Sequence, residues 1–199
     1  MKSPIRTFVA VEIGEAIRRA AVALIEELRA ASAEVSWVAP HNMHLTVKFL
    51  GDVAAERVPQ VSAAVAEAVA EAPSFDLEVC GVGAFPNVSR PRTIWIGTGA
   101  GEAQLADLAG RIDKALTKLG FAREGRDFRG HLTLGRVRRP SPGLTAVSQM
   151  LREQSGLEFG RTTVREVIVF SSQLQRGGPI YNAMSRATLG GNQGLGMSD

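Results

Sequence analysis

The chain says the same thing twice. RTFVA, beginning at Arg6, is answered by RTIWI beginning at Arg92, and His44-Leu45-Thr46-Val47 is answered by His131-Leu132-Thr133-Leu134, at nearly equal spacing within each set. A pattern repeated at a fixed interval constrains a fold more than composition does, because each copy has to form the same supersecondary unit. Periodicity supplies that unit. Arg6 to Ile13 reads as a strand, Glu15 to Ser32 as a helix with Ile17, Ala20, Ala21, Leu24, Ile25 and Leu28 at helical spacing, and His44 to Leu50 as a strand. In the second copy Arg92 to Thr98 is a strand, Glu102 to Leu119 a helix with Leu105, Leu108, Ile112, Leu116 and Leu119 inward, and His131 to Val137 a strand. Between the copies a helix is predicted over Val58 to Glu71, with Pro59 tolerated in its first turn, and a strand over Phe75 to Val82. Thr163 to Ser171 and Ile180 to Ala187 read as strands around the turn QRGGP.

These elements describe an α+β fold of two related halves. No linker rich in Pro, Gly or Ser parts them, so residues 1–189 are expected to pack as a single bilobal domain, with 190–199, GGNQGLGMSD, a flexible tail. At 199 residues and 45% hydrophobic the chain can bury a substantial core. No apolar run approaches the roughly 18 residues of a membrane span, and Glu12 breaks the first apolar stretch with no cleavage site after it. No membrane is therefore expected among the partners, and a monomer is. Cys80 stands alone, which rules out an internal disulfide and agrees with a cytoplasmic location. It sits in FDLEVCGV, a predicted strand without a nearby histidine, so a structural thiol is expected rather than a nucleophile.

On a strand, residues two apart share a face, so each motif presents an imidazole beside a hydroxyl while its leucine points the other way. A two-fold relation between the halves would set two such pairs across a cleft. That arrangement suits attack on a phosphodiester, where attacking and leaving oxygens lie on opposite sides of phosphorus and the base and acid must do the same. Imidazole can be neutral on one side and protonated on the other near neutral pH, and Thr46 and Thr133 can donate to the non-bridging oxygens. Zinc is the obvious competitor for histidines. His41 and His44 form HxxH, but on a strand they would face opposite ways, and no cysteine pair or carboxylate stands at a ligand spacing. No metal is expected. TIWIGTGAGEAQL places glycines between strand and helix without completing G-x-G-x-x-G, so it reads as a tight turn and no cofactor is expected either.

The net charge is only +3, yet Arg123, Arg126, Arg129, Arg136, Arg138 and Arg139 cluster against Glu124 and Asp127 beside the second motif. Alone such a run is a solvated loop; beside a phosphate site it could guide a polyanion.

At HLTVKFLG and FRGHLTLGRV the sequence resembles the 2H phosphoesterase superfamily, and within it the bacterial RNA 2',3'-cyclic phosphodiesterases, also called 2'-5' RNA ligases. RTFVAVEI, WVAPHNMHLTVKFLGDV, GAFPNVSRPRTIWIG and VFSSQLQRGGPIYNAM extend the likeness over nearly the whole chain. The resemblance implies a bilobal, duplicated LigT-like fold of two antiparallel sheets with outer helices and the site between the lobes. It implies hydrolysis of RNA 2',3'-cyclic phosphate ends, or of a small cyclic nucleotide, to 2'-phosphates. By position, His44 would donate a proton to the departing 3' oxygen, His131 would activate water, and Arg136 would join Thr46 and Thr133 at the phosphate. Strict alternation from His131 would aim Arg136 away, so that role requires a bulge or the end of the strand; Arg129 has the right parity but stands at the strand's entry. The sequence departs from its relatives at Gly130, where they commonly have proline. Two alternatives stand beside hydrolysis: 2'-5' ligation through the same site, and a basic RNA-binding module without turnover, with Phe8 or Trp95 as stacking surfaces.

Overall fold

Residues 3–31, 33–125, 127–175 and 178–190 are described by a computed structural model. Among them run β1 (Ile5–Glu12), α1 (Glu15–Arg29), β2 (Val35–Trp37), a 3-10 turn (Pro40–Asn42), β3 (His44–Val53), a second 3-10 turn (Ala55–Arg57), α2 (Val58–Val69), β4 (Phe75–Phe85), β5 (Thr93–Thr98), α3 (Glu102–Lys118), β6 (His131–Val137), α4 (Gly143–Glu153), β7 (Glu158–Val164), β8 (Glu166–Gln175) and β9 (Gly178–Thr188).

The strands follow the order β7-β4-β5-β6-β3-β1-β8-β9, every neighbouring pair antiparallel, with β2 added to β6. The path divides into two four-stranded lobes whose inner strands are β6 and β3, the two that carry the motifs. They meet at one Cα pair, Leu45 opposite Leu132. The two antiparallel sheets that the resemblance implies are therefore lobes of one continuous sheet. Strand pairing obeys the duplication, since β1 lies beside β3 as β5 lies beside β6. Chain order does not: the first lobe is completed by β8 and β9 from the end of the sequence, Arg6 pairing with Ser172.

The leucine of each motif points to the main core, where Leu45 and Leu132 are fully buried with Ile17, Leu24 and Leu28 of α1 and Leu105, Leu108, Ile112 and Leu116 of α3. The helices cross between lobes: α1 packs on β7, and α3 packs on β3 and β4 and against α2. On the opposite face of β1, Phe8 and Ala10 join Ile168 and Phe170 in a smaller cluster capped by Tyr181.

Both repeat helices start where periodicity puts them, and β6 has the expected bounds. Three elements lacked a signal. β2 has only three residues, α4 buries just Val147, Ser148 and Leu151 behind a Ser-Pro-Gly start, and β7 buries only Phe159 and Val164. The strand expected over Thr163 to Ser171 is divided at Arg165 between β7 and β8. Arg176 and Gly177 of the QRGGP turn, and all of the expected tail but Gly190, lie outside the described residues. Among those described, no helix is long and apolar enough to cross a membrane.

Candidate active site

Each motif strand carries a bulge at the same point. Along β1 and β3 the register passes from Ala10–Thr46 to Val9–Lys48, leaving Val47 unopposed. Along β5 and β6 it passes from Trp95–Thr133 to Ile94–Gly135, leaving Leu134 unopposed. An extra residue uses up one step of alternation, so the next outward side chain returns to the face of the histidine and threonine. In β6 that residue is Arg136, whose Nη1 donates to Thr93 Oγ1 at 3.4 Å. In β3 it is Phe49, 61% exposed. His44, Thr46, His131, Thr133 and Arg136 together line one cleft of about 540 Å3.

The two imidazoles are oriented alike. His44 Nδ1–H donates to the Asn42 carbonyl at 2.8 Å, and His131 Nδ1–H donates to the Arg129 carbonyl at 2.9 Å. With Nδ1 carrying the proton in the neutral ring, Nε2 is left as the basic nitrogen in both. His44 Nε2 lies 3.1 Å from Thr46 Oγ1, which donates to it while the ring is neutral. The 3-10 turn that delivers Asn42 is tied to the other end of the chain, its buried side-chain amide donating to the Pro179 carbonyl at 2.8 Å.

Their surroundings differ. His44 stacks on Phe8 at 4.8 Å between ring centres, with Tyr181 edge-on at 5.2 Å and Phe170 beyond. His131 meets one aromatic, Phe85, edge-on at 5.0 Å. Burial pushes the His44 pKa from 6.5 down to about 4; the bond to Asn42 opposes this, and charge on His131 adds to it. Burial likewise raises the Tyr181 hydroxyl, while the positive charges of Arg136 and Arg6 pull it back.

Gly130 is dictated by packing: a Cβ there would stand 2.6 Å from Thr98 Oγ1 and 2.9 Å from Leu105 Cδ2. Gly135, in the bulge, is pressed by β2 in the same way, with Val35 Cγ1 at 2.7 Å and Trp37 Cε3 at 2.8 Å from such a Cβ. His41 is exposed in the 3-10 turn and does not line the cleft. Phe8 is buried behind His44 and offers no open stacking face, whereas Trp95 is half-buried against Phe85. Burial, with Glu78, Glu158 and Glu102 nearby, raises the Cys80 pKa and holds the thiol form. Arg6, Asn42, Phe49 and Tyr181 also line the cleft. Of these, Arg6 gave a sign in the sequence, as the first letter of the RT repeat.

The LigT like phosphoesterase family matches the chain twice, over residues 11–95 and 96–181. The chain belongs to that family. A relative from Archaeoglobus fulgidus, an RNA 2',3'-cyclic phosphodiesterase, is 39% identical over 88% of this chain and 96% of its own length. One of the same name from Methanothermobacter thermautotrophicus is 33% identical over 90% and 96%. Among solved structures, the protein TT0787 of Thermus thermophilus superposes with a TM-score of 0.79 at 26% identity, over 95% of this chain and all of that one. Escherichia coli LigT complexed with 3'-AMP does so at 0.71 and 26%, over 94% and 98%. This LigT-like phosphoesterase is thus an enzyme of phosphodiester chemistry, and each of the two family matches contains one of its His-Leu-Thr motifs.

Proposed function

We propose that the enzyme hydrolyses RNA 2',3'-cyclic phosphate ends to 2'-phosphates by acid–base catalysis between His44 and His131, without a metal, the two lobes working as one unit. Water attacks phosphorus as His131 Nε2 accepts its proton; the bond from phosphorus to the 3' oxygen breaks as His44 Nε2–H donates to that oxygen. Thr46, Thr133 and Arg136 bind the non-bridging oxygens, where charge gathers as the bonds rearrange. The observation that carries this reading is the convergence of both motifs and Arg136 on one cleft, with each Nδ1 anchored on a carbonyl and each Nε2 left basic. The name of the relatives supports the substrate class. Among the described residues no three His, Cys, Asp or Glu side chains group as metal ligands.

The depressed pKa of His44 adds a requirement. In the free enzyme at neutral pH this histidine is uncharged, so the donor proton must arrive with substrate, whose negative phosphate favours the charged ring. The deciding experiment is to incubate the protein, with and without EDTA, with an oligonucleotide ending in a 2',3'-cyclic phosphate. A 2'-phosphate product formed equally in both is expected. A 3'-phosphate, a 2'-5' joined product or loss of turnover in EDTA each contradicts part of the proposal.

A further inference from the structure

A second concavity, of about 490 Å3, opens where the ends of β5 and β6 meet the first turn of α4. Arg90, Arg92, Arg138 and Arg139 stand around it, and Pro91, Val137 and Leu144 line its floor. Arg139 pairs with Glu34 at 3.2 Å, and Arg138 Nε donates to Ser36 Oγ at 2.6 Å. Among the described residues, Arg90 and Arg92 have no side-chain hydrogen bond or ion pair. Four guanidinium groups around one hollow repel one another, and among the described residues Glu34 is the one carboxylate that pairs with any of them. The positive end of α4 faces the same way, since Leu144 and Thr145 of its first turn also line the hollow. The chemistry called for is an anion able to take several arginine forks.

The hollow neighbours the catalytic cleft at the end of β6, where Arg136 lines the cleft and Val137, the next residue, lines the hollow. Arg136 in the cleft bonds Thr93, the neighbour of Arg92 in the chain, and the Val137 amide donates to the Arg92 carbonyl at 2.9 Å. Arg138 follows Arg136 two residues along extended chain, a step of about 7 Å. We infer that this concavity holds the phosphodiester backbone of the substrate RNA on the 5' side of the cyclic end. The inference rests on the reading that the cleft opens cyclic phosphate ends. A polymer with phosphates at regular intervals matches arginines divided between the cleft and the neighbouring hollow, whereas an isolated anion would use only one part of them.

The test compares a 2',3'-cyclic mononucleotide with oligonucleotides of increasing length bearing the same end, in the parent and in Arg90→Ala/Arg92→Ala. Both residues are exposed, so the fold should tolerate their loss; Arg139→Ala is a second, single-site variant. In the parent, KM should fall as nucleotides are added and then level off. The double variant should raise KM for the longer oligonucleotides about tenfold and lower the slope of log KM against log salt by about one to two, leaving the mononucleotide unchanged. Affinity for unreactive 2'-phosphate-ended oligonucleotides, measured alongside, reads the same site whether or not turnover occurs. Equal effects on short and long ligands, or no length dependence in the parent, overturn the inference, and so does a hollow that binds inorganic phosphate with no advantage to RNA. Absence of mononucleotide turnover with the length-dependent binding intact would count instead against the catalytic reading.

Discussion

The two motif strands have the same backbone and different company. β3 and β6 share the imidazole-to-carbonyl bond, the unopposed residue after the threonine and the leucine in the core. After the bulge, β3 has buried Lys48 and exposed Phe49 where β6 has Gly135 and Arg136. Lys48 is satisfied by Asp113 of α3 at 2.6 Å and by the Ala122 carbonyl, whereas Gly135 yields its space to Trp37. One histidine is packed among three aromatic rings and the other beside one. Duplication thus preserved the geometry that aims the imidazoles, and divergence around it set them apart electrostatically. In the free enzyme the burial of His44 favours its neutral ring, the reverse of what a proton donor needs, so under the proposed roles the bound phosphate has to restore that proton.

The harshest way to break the comparison is to remove either ring. His44→Ala and His131→Ala should each lower kcat by about a thousandfold or more, and the double variant should be scarcely worse, because the two act as a unit. A single variant with near-parental turnover of a cyclic phosphate would end the acid–base pair.

Next come the proposed phosphate ligands. Thr46→Val, Thr133→Val and Arg136→Ala should each cost about ten- to a thousandfold in kcat/KM, the range for one lost transition-state hydrogen bond. Parental activity in the double valine variant would remove the threonines from the mechanism, and a loss in Phe49→Ala matching that in Arg136→Ala would erase the contrast between the lobes.

Two pH measurements sharpen the electrostatic difference. Binding of inorganic phosphate near pH 6 should take up protons in the parent and take up less in His44→Gln, as calorimetry in buffers of different ionisation enthalpy reports; no uptake in the parent would move the donor role to His131. The smallest effect concerns folding. Between pH 6.5 and about 4 the unfolded chain binds a proton that folded His44 refuses, so this contribution is present above 6.5 and lost as pH falls through the window. Denaturant unfolding of His44→Gln should show a shallower decline there than the parent; parallel curves would contradict the depressed pKa.

The histidines and threonines were legible because a short pattern on a strand fixes which side chains share a face. Arg136 was legible only through resemblance, since its orientation depends on a bulge that forms against β5, and the matching bulge in β3 carried Phe49 into the cleft unannounced. The burial of His44 could not be read at all: Phe8, Phe170 and Tyr181 reach it from three strands, two of them far away in sequence. α4 and β7 escaped because too few of their residues are buried to leave a periodic trace. The six arginines read as one run are divided by the fold: Arg136 faces the cleft, Arg138 and Arg139 the second hollow, Arg123 lies 4.0 Å from Asp113, Arg129 lends its carbonyl to His131, and Arg126 lies outside the described residues.

The pairing of Arg6 with Ser172 fixes when the enzyme can come into being. A nascent chain that has released the whole first motif has β3 for one edge of β1 but still lacks β8 for the other, and with it the Phe170 and Tyr181 rings of β8 and β9 that cover His44, so β1 must wait with one unpaired edge while most of the remaining sequence is synthesised. The loop closed by that contact spans most of the polypeptide, and its entropy is lost before the contact returns anything, which makes the first lobe the slow one to assemble. The half that is written first is finished last.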